Sequence, residues 1–172
     1  MHRILGAGLI VIGAAVYGAG LARSLQRRVV ELADLDMALN LLETEIRYSR
    51  TPLPEACGAV AGALDDPVKR LLCMASQRFG DHDRASIEKT WREVVRAWAP
   101  RTHLLPRELK ALEALGSVLG RSDVADQVGH LRLVRERLRP IRQKLEAELE
   151  KQCRLRLYLG VAGGALLAVL LV

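Results

Sequence analysis

The two ends of this chain carry no charge. Residues 4–22 contain no Asp, Glu, Lys or Arg and are bracketed by Arg3 and Arg23; residues 157–172 are equally uncharged. A helix rises about 1.5 Å per residue and a bilayer's hydrocarbon core is about 30 Å thick, so about 17–25 apolar residues cross it. The first segment meets that length. The second is short, and needs Tyr158 at the interface and an extended Arg156 side chain to reach across. Two transmembrane helices, 4–22 and 157–172, are therefore expected to flank a domain over 23–156. A cleaved signal peptide is the alternative for the first, with Met1-His2-Arg3 as its basic start and Gly18-Ala19-Gly20 as a small-residue cleavage site. Arg23, Arg27 and Arg28 weigh against it, because basic residues directly after an apolar stretch are retained in the cytoplasm.

Charge also orients the chain. Arg23, Arg27 and Arg28 follow the first apolar segment and Lys151, Arg154 and Arg156 precede the second, whereas only Arg3 lies outside them. The excess of basic residues on the inner flanks predicts a cell-membrane protein with a cytoplasmic middle domain and both termini opposite. Every acidic residue lies in that middle part, so its basic excess is modest and no nucleic-acid partner is expected. Cys57, Cys73 and Cys153 are odd in number and widely spaced, which suits a reducing compartment and suggests neither a disulfide framework nor a zinc site.

Hydrophobic periodicity is helical throughout, which predicts an all-α, membrane-anchored bundle. Leu32, Leu35, Leu39, Leu42 and Ile46 alternate steps of three and four, a heptad-like stripe that continues the first apolar helix. Thr51 is placed to cap a new helix with Pro52 at its first position, and Asp66-Pro67 repeats that signal for a helix to about Phe79. Gly80-Asp81-His82-Asp83 reads as a turn. A further helix carries Ile87, Trp91, Val94 and Trp98 on one face and stops before Pro100; another runs from Pro106 to Leu119-Gly120. Ser122 or Asp123 caps the last helix, whose seam of Leu131, Val134, Leu138, Ile141 and Leu145 leads into the second apolar segment. Pro140 interrupts it, and a kink or break is expected near Arg139. The two long helices are expected to pack antiparallel, with the shorter ones clustered at their far end.

No catalytic constellation is visible. The glycines gather in or beside the apolar ends rather than in a phosphate-binding loop. Gly160-x-x-x-Gly164 and Ala14-x-x-x-Gly18 fit the spacing by which membrane helices approach closely, although glycine and alanine are also simply tolerated there. His82, His103 and His130 lack Cys or carboxylate neighbours at ligand spacing and read as surface or turn residues. Trp91 and Trp98, seven apart, read as core. No cysteine has a recognisable base partner in sequence. No metal, cofactor or enzymatic activity is expected.

One charged feature stands out. Arg132, Arg135, Arg139 and Arg142 form a basic stripe beside the apolar seam of the last helix. Intramolecular ion pairs or a solvated face are the first reading, an acidic protein partner the second. Anionic lipid is disfavoured, because an upright helix would hold these residues about 20–35 Å from the membrane, beyond a Debye length of about 8 Å.

The run from Leu42 to Ala56 (LETEIRYSRTPLPEA) resembles the first signature of the stage III sporulation protein AB family. Leu119-Gly120-Arg121-Ser122-Asp123 with Gln127 and His130-Leu131 resembles the second, and Leu159-Gly160-Val161-Ala162-Gly163-Gly164 with its aliphatic tail the third. The likeness covers essentially the whole chain in order; Pro140 and the alanine- and arginine-rich composition depart from the pattern. The resemblance implies a part in endospore formation, on the mother-cell side of the assembly joining mother cell and forespore. It also implies likeness to the F-type inner-membrane platform proteins of type II secretion and type IV pilus systems. A non-enzymatic platform is thus expected, its cytosolic domain contacting the cognate secretion-type ATPase and its spans contacting other membrane components. The docking candidates are Glu43, Glu45, Arg47, Tyr48, Glu55, Arg121, Ser122, Asp123, Gln127 and the four stripe arginines. The alternative is a structural membrane protein that self-associates through its heptad-like seams, without an ATPase.

Overall fold

A computed structural model describes the backbone of residues 2–49, 51–80, 87–119 and 123–171, and the side chains of 23–49, 51–80, 87–119 and 123–152. The described residues are helical, without strands: α1 (His2–Thr44), a π-helical turn (Glu45–Ser49), α2 (Leu53–Ala61), α3 (Val68–Gly80), α4 (Ile87–Trp98), α5 (Pro106–Glu113) and α6 (Val124–Leu171), with 3-10 turns at Ala99–Arg101 and Ala114–Ser117. The chain divides into two units, Arg27–Arg142 and Met1–Gln26 with Gln143–Val172. Among the described residues no helix is long and apolar enough to cross a membrane. The uncharged ends at 4–22 and 157–172 fall outside the residues whose side chains are described, as do Ala14, Gly18, Gly160, Gly164 and Cys153.

Within Arg27–Arg142 the core forms where periodicity puts it. Leu32, Leu35, Leu39, Leu42 and Ile46 of α1 are buried, and so are Leu131, Val134 and Leu138 of α6. Each such side chain contributes about 1.5–3 kcal/mol on leaving water. The seam fades along α6: Ile141 is half-buried, and so is Leu145 in the other unit. Leu71 and Leu72 of α3 join Ile87, Trp91, Val94 and Trp98 of α4 in the interior. Both indoles satisfy their N–H groups, Trp91 Nε1 donating to the Leu112 carbonyl and Trp98 Nε1 to that of Pro67, each at 2.7 Å. Phe79 stacks on Trp91 with centroids 6.3 Å apart. The tryptophans are core, as their spacing predicts.

Several element ends differ from expectation, each for a local reason. Thr51 does not cap α2: its hydroxyl donates to Glu45 Oε2 at 3.0 Å and its N–H to the Glu45 carbonyl, so it closes the π-turn, and α2 begins at Leu53 after Pro52. The helix from Pro106 ends at Glu113 and tightens into a 3-10 turn, short of the Leu119-Gly120 stop. There the Trp91 indole takes the Leu112 carbonyl that a continuing α-helix would offer to residue 116. A Cβ on Gly116 would lie 2.9 Å from Trp91 Cδ1, so the chain passes the indole with no side chain to spare. The peptide Asp66–Pro67 is cis, and α3 follows at Val68.

Pro140 does not break α6, which is helical through it. Its ring removes one N–H, the donor for the Glu136 carbonyl, but Pro140 and Glu136 are both exposed and water reaches that carbonyl. Asp123 precedes α6, its Oδ1 accepting from Val124 N–H at 2.7 Å and its carbonyl from Gln127 N–H at 3.1 Å. The turn expected at Asp81-His82-Asp83 and the residues Gly120, Arg121 and Ser122 lie outside the described residues.

Candidate functional site

Along α1 two sets of polar groups reach other parts of the bundle. The first joins α1 to α6. Glu43 is buried and accepts from Arg132 Nε at 2.8 Å and Nη2 at 2.5 Å. Arg135 Nε donates to Asp36 Oδ1 at 2.8 Å and its Nη1 to Asn40 Oδ1 at 2.8 Å, while Arg142 Nη1 approaches Asp36 Oδ2 at 3.7 Å. Higher numbers on α6 meet lower numbers on α1, so these stretches run antiparallel. The hydrogen bond to Glu43 raises the Arg132 pKa further, and the guanidinium stays charged. Together these side chains border a cleft of about 470 Å³ with Arg139 exposed at its edge.

Three of the four stripe arginines thus pair within the molecule, as in the first reading of their pattern. Arg132, Arg135 and Arg142 fasten α6 to α1, and Glu43 belongs to the same network. Glu45 is half-buried and holds Thr51. Of the first signature, Arg47, Tyr48 and Glu55 remain exposed. Tyr48 is 73% exposed, with the Arg47 guanidinium carbon 5.4 Å from its ring centroid. The π-turn places them outward, just beyond the buried Ile46. From the second signature, Asp123 begins α6 and Gln127 is half-buried. Among the described candidates, Glu43, Glu45, Arg132, Arg135 and Arg142 fasten the bundle, whereas Arg47, Tyr48, Glu55, Asp123 and Arg139 are exposed.

The second set was not anticipated from sequence. Glu108 is 0% exposed; it accepts from Arg28 Nε at 3.1 Å, from Arg28 Nη2, and from the Leu105 N–H at 2.8 Å. Three residues along α1, the buried Glu31 accepts from Thr102 Oγ1 at 2.5 Å and His103 N–H at 2.8 Å, and His103 Nδ1 lies 2.6 Å from its other oxygen. Two buried carboxylates therefore tie the segment 102–108 to α1. The signal was present: Arg28 and Glu31 share the register of Leu32 and Leu35, and Glu108 stands third in a helix opened by Pro106, where it reaches back to the preceding N–H. Beside them a cleft of about 380 Å³ lies between Arg27, Asp34, Arg70 and Arg101. Burial first, then Asp65 and Glu31, pushes the Asp34 carboxyl pKa up.

Among the described residues the titratable groups offer no paired nucleophile and base. Burial pushes the Cys57 thiol up to about 12, so it is inert, and among the described residues no cluster of His, Cys, Asp and Glu is arranged to hold a metal.

Comparison with known proteins gives a consistent result. The model of the family described as Stage III sporulation protein AB matches residues 3–172. Stage III sporulation protein AB of Bacillus subtilis (strain 168) is 29% identical over 171 residues, covering 99% of each chain. A solved structure of Stage III sporulation protein AB (SpoIIIAB) superposes with a TM-score of 0.66 at 27% identity, covering 72% of this chain and 97% of that one.

Proposed function

Because this chain belongs to the stage III sporulation protein AB family and its role therefore lies in sporulation, we propose that it is a non-enzymatic membrane platform of the stage III complex. Its uncharged ends anchor it as two spans, its middle domain lies in the mother-cell cytoplasm, and that domain recruits the cognate secretion-type ATPase. The observation that carries this reading is the whole-chain match, which takes in both uncharged ends as well as the bundle. The charge asymmetry of the flanks supports the orientation.

For the docking surface, the geometry favours Arg47, Tyr48 and Glu55 over the stripe arginines Arg132, Arg135 and Arg142, whose charges are already matched within the bundle. Tyrosine and arginine are the residue types that dominate interface energies, and these two are presented with little of their surface used internally. Capture of the purified ATPase by the full-length chain in detergent tests this. Arg47→Glu and Tyr48→Ala should each weaken capture about tenfold or more, the loss of about 1.4 kcal/mol or more, while leaving the circular dichroism spectrum unchanged. Undiminished capture by both variants would rule this surface out. Orientation is tested separately, by labelling a single cysteine at the exposed position Lys89 in intact and permeabilised cells; labelling in intact cells would place the domain outside.

A further inference from the structure

Several arginines along the surface of the bundle are matched by acids. Arg70 pairs with Asp66, Arg92 with Glu88 and Arg96 with Glu113, and three of the stripe arginines pair with Asp36 or Glu43. One cleft is not matched. Arg107, Lys110 and Ala111 of α5 border a hollow of about 290 Å³ together with Arg137, Leu138 and Ile141 of α6, and no Asp or Glu among the described residues lines it. The helical steps bring this about. Arg107 is followed at three and four by Lys110 and Ala111, which puts all three on one face of α5. At about 100° per residue, Arg137 stands about 140–160° around α6 from every stripe arginine, so it does not share their acids. Lys110 and Arg137 are exposed, and neither makes an ion pair among the described residues. Arg107 Nε comes within 3.4 Å of Glu108 Oε1, but Arg28 and the Leu105 N–H already occupy that carboxylate. Between the cations the lining is apolar and recessed: Leu138 is buried and Ile141 half-buried.

We propose that this cleft docks an acidic segment of another protein, one that carries carboxylates beside an apolar side chain. Three cations around a hollow with apolar walls focus a positive field, and carboxylates answer it. The guanidinium planes of Arg107 and Arg137 suit carboxylates in bidentate pairs, with Lys110 as a third, more mobile point of charge. The recessed patch of Leu138 and Ile141 receives a side chain that protrudes from its backbone. A flat lipid surface offers no such protrusion, and a free phosphate has nothing apolar to place there. This surface is separate from Arg47, Tyr48 and Glu55, and the inference rests neither on the ATPase nor on the anchoring of the chain in a membrane.

Peptide binding tests the proposal. A fluorescein-labelled, glutamate-rich peptide with two leucines one helical turn apart is titrated with the full-length chain in a neutral detergent, protein-free micelles serving as the blank. Its fluorescence anisotropy should rise with sub-millimolar affinity, and Lys110→Glu with Arg137→Glu should weaken binding about tenfold or more. Arg92→Glu with Arg96→Glu makes the same change of charge on α4 and should leave binding within about twofold. Serine in place of both peptide leucines keeps the charge and should weaken binding about fivefold or more. Equal losses from the two double variants would reduce the effect to net charge and overturn the site. A serine peptide that binds as tightly as the leucine one, or an unchanged chain that does not bind, would overturn it too. The partner's class is read in living cells, where p-benzoylphenylalanine in place of Ala111 is irradiated and its adducts are identified by mass. Linkage to an acidic stretch of a protein is expected; linkage to a lipid, or to a stretch without carboxylates, would overturn the proposal.

Discussion

Helix α1 is fastened at two places by the same kind of chemistry in opposite surroundings. Near its start within the bundle, Arg28 and Glu31 bind Glu108 and the Thr102–His103 segment with both carboxylates buried. Two to three turns later, Asp36, Asn40 and Glu43 bind the partly exposed Arg132, Arg135 and Arg142 beside a cleft open to water, with Glu43 alone of this set buried. Buried charge is costly to strand, because the partner left behind has no solvent to turn to; rim charge is screened and its loss is cushioned. The first fastening should therefore decide whether the domain folds, and the second how firmly two folded helices lie together.

The largest expected effect comes from Glu108→Ala, which leaves Arg28 charged and unmatched in the interior. It should cost about 3–5 kcal/mol in thermal or chaotrope unfolding of the full-length chain in detergent. The sharper version exchanges both partners, Arg28→Met with Glu108→Leu, which should restore most of that loss; a double variant as unstable as Glu108→Ala would show that the carboxylate's bond to Leu105 N–H matters more than the pairing. Next, Glu31→Ala removes the acceptor for Thr102 and His103 and should cost about 1.5–3 kcal/mol by the same melting measurement. Arg135→Ala, on the rim, should cost about 1 kcal/mol or less, and 1 M salt should narrow its gap from the unchanged chain while leaving the Glu108→Ala gap wide. A rim variant that outweighs Glu108→Ala would invert the comparison. The smallest effect is at Asp34, whose carboxyl pKa is raised by burial and by Asp65 and Glu31. A raised folded pKa means that ionisation opposes folding, so at pH 7 Asp34→Asn should melt slightly higher than the unchanged chain. That advantage should shrink as pH falls through the raised folded value and vanish below the ordinary value of 3.8, where both states hold a neutral acid.

These contrasts mark where the sequence could be read and where it could not. The apolar residues of α1, α4 and α6 repeat at steps of three and four, and burial follows that rhythm because a helix turns at a fixed rate; Leu32, Trp91 and Leu131 were identifiable on that ground alone. The stripe arginines were visible too, but not their partners, since Arg132 meets Glu43 across 89 positions and no local spacing encodes that. Arg28 was legible as a flanking positive charge and hid its second role, because the residue that buries it arrives 80 positions later. Helix ends were misplaced where a distant side chain intervened: the Trp91 indole at Leu112, and Glu45 drawing Thr51 away from its cap. Pro140 does not end α6, since its missing hydrogen bond falls on an exposed face of that helix. The exposed pair Arg47–Tyr48 lay within a recognisable segment, yet only the outward set of the π-turn separates it from its internally engaged neighbour Glu43.

The bond between Arg28 and Glu108 has a consequence for how such a chain can drift over generations. Losing Glu108 first buries Arg28 alone, and losing Arg28 first leaves Glu108 with only Arg107 Nε at 3.4 Å and the Leu105 N–H to answer its charge. Joint replacement by two apolar residues is physically acceptable, but single steps toward it are not. The two sites should thus behave largely as one inherited character, and a descendant lineage that lost Glu108 while keeping Arg28 would need a new neighbour to answer the charge.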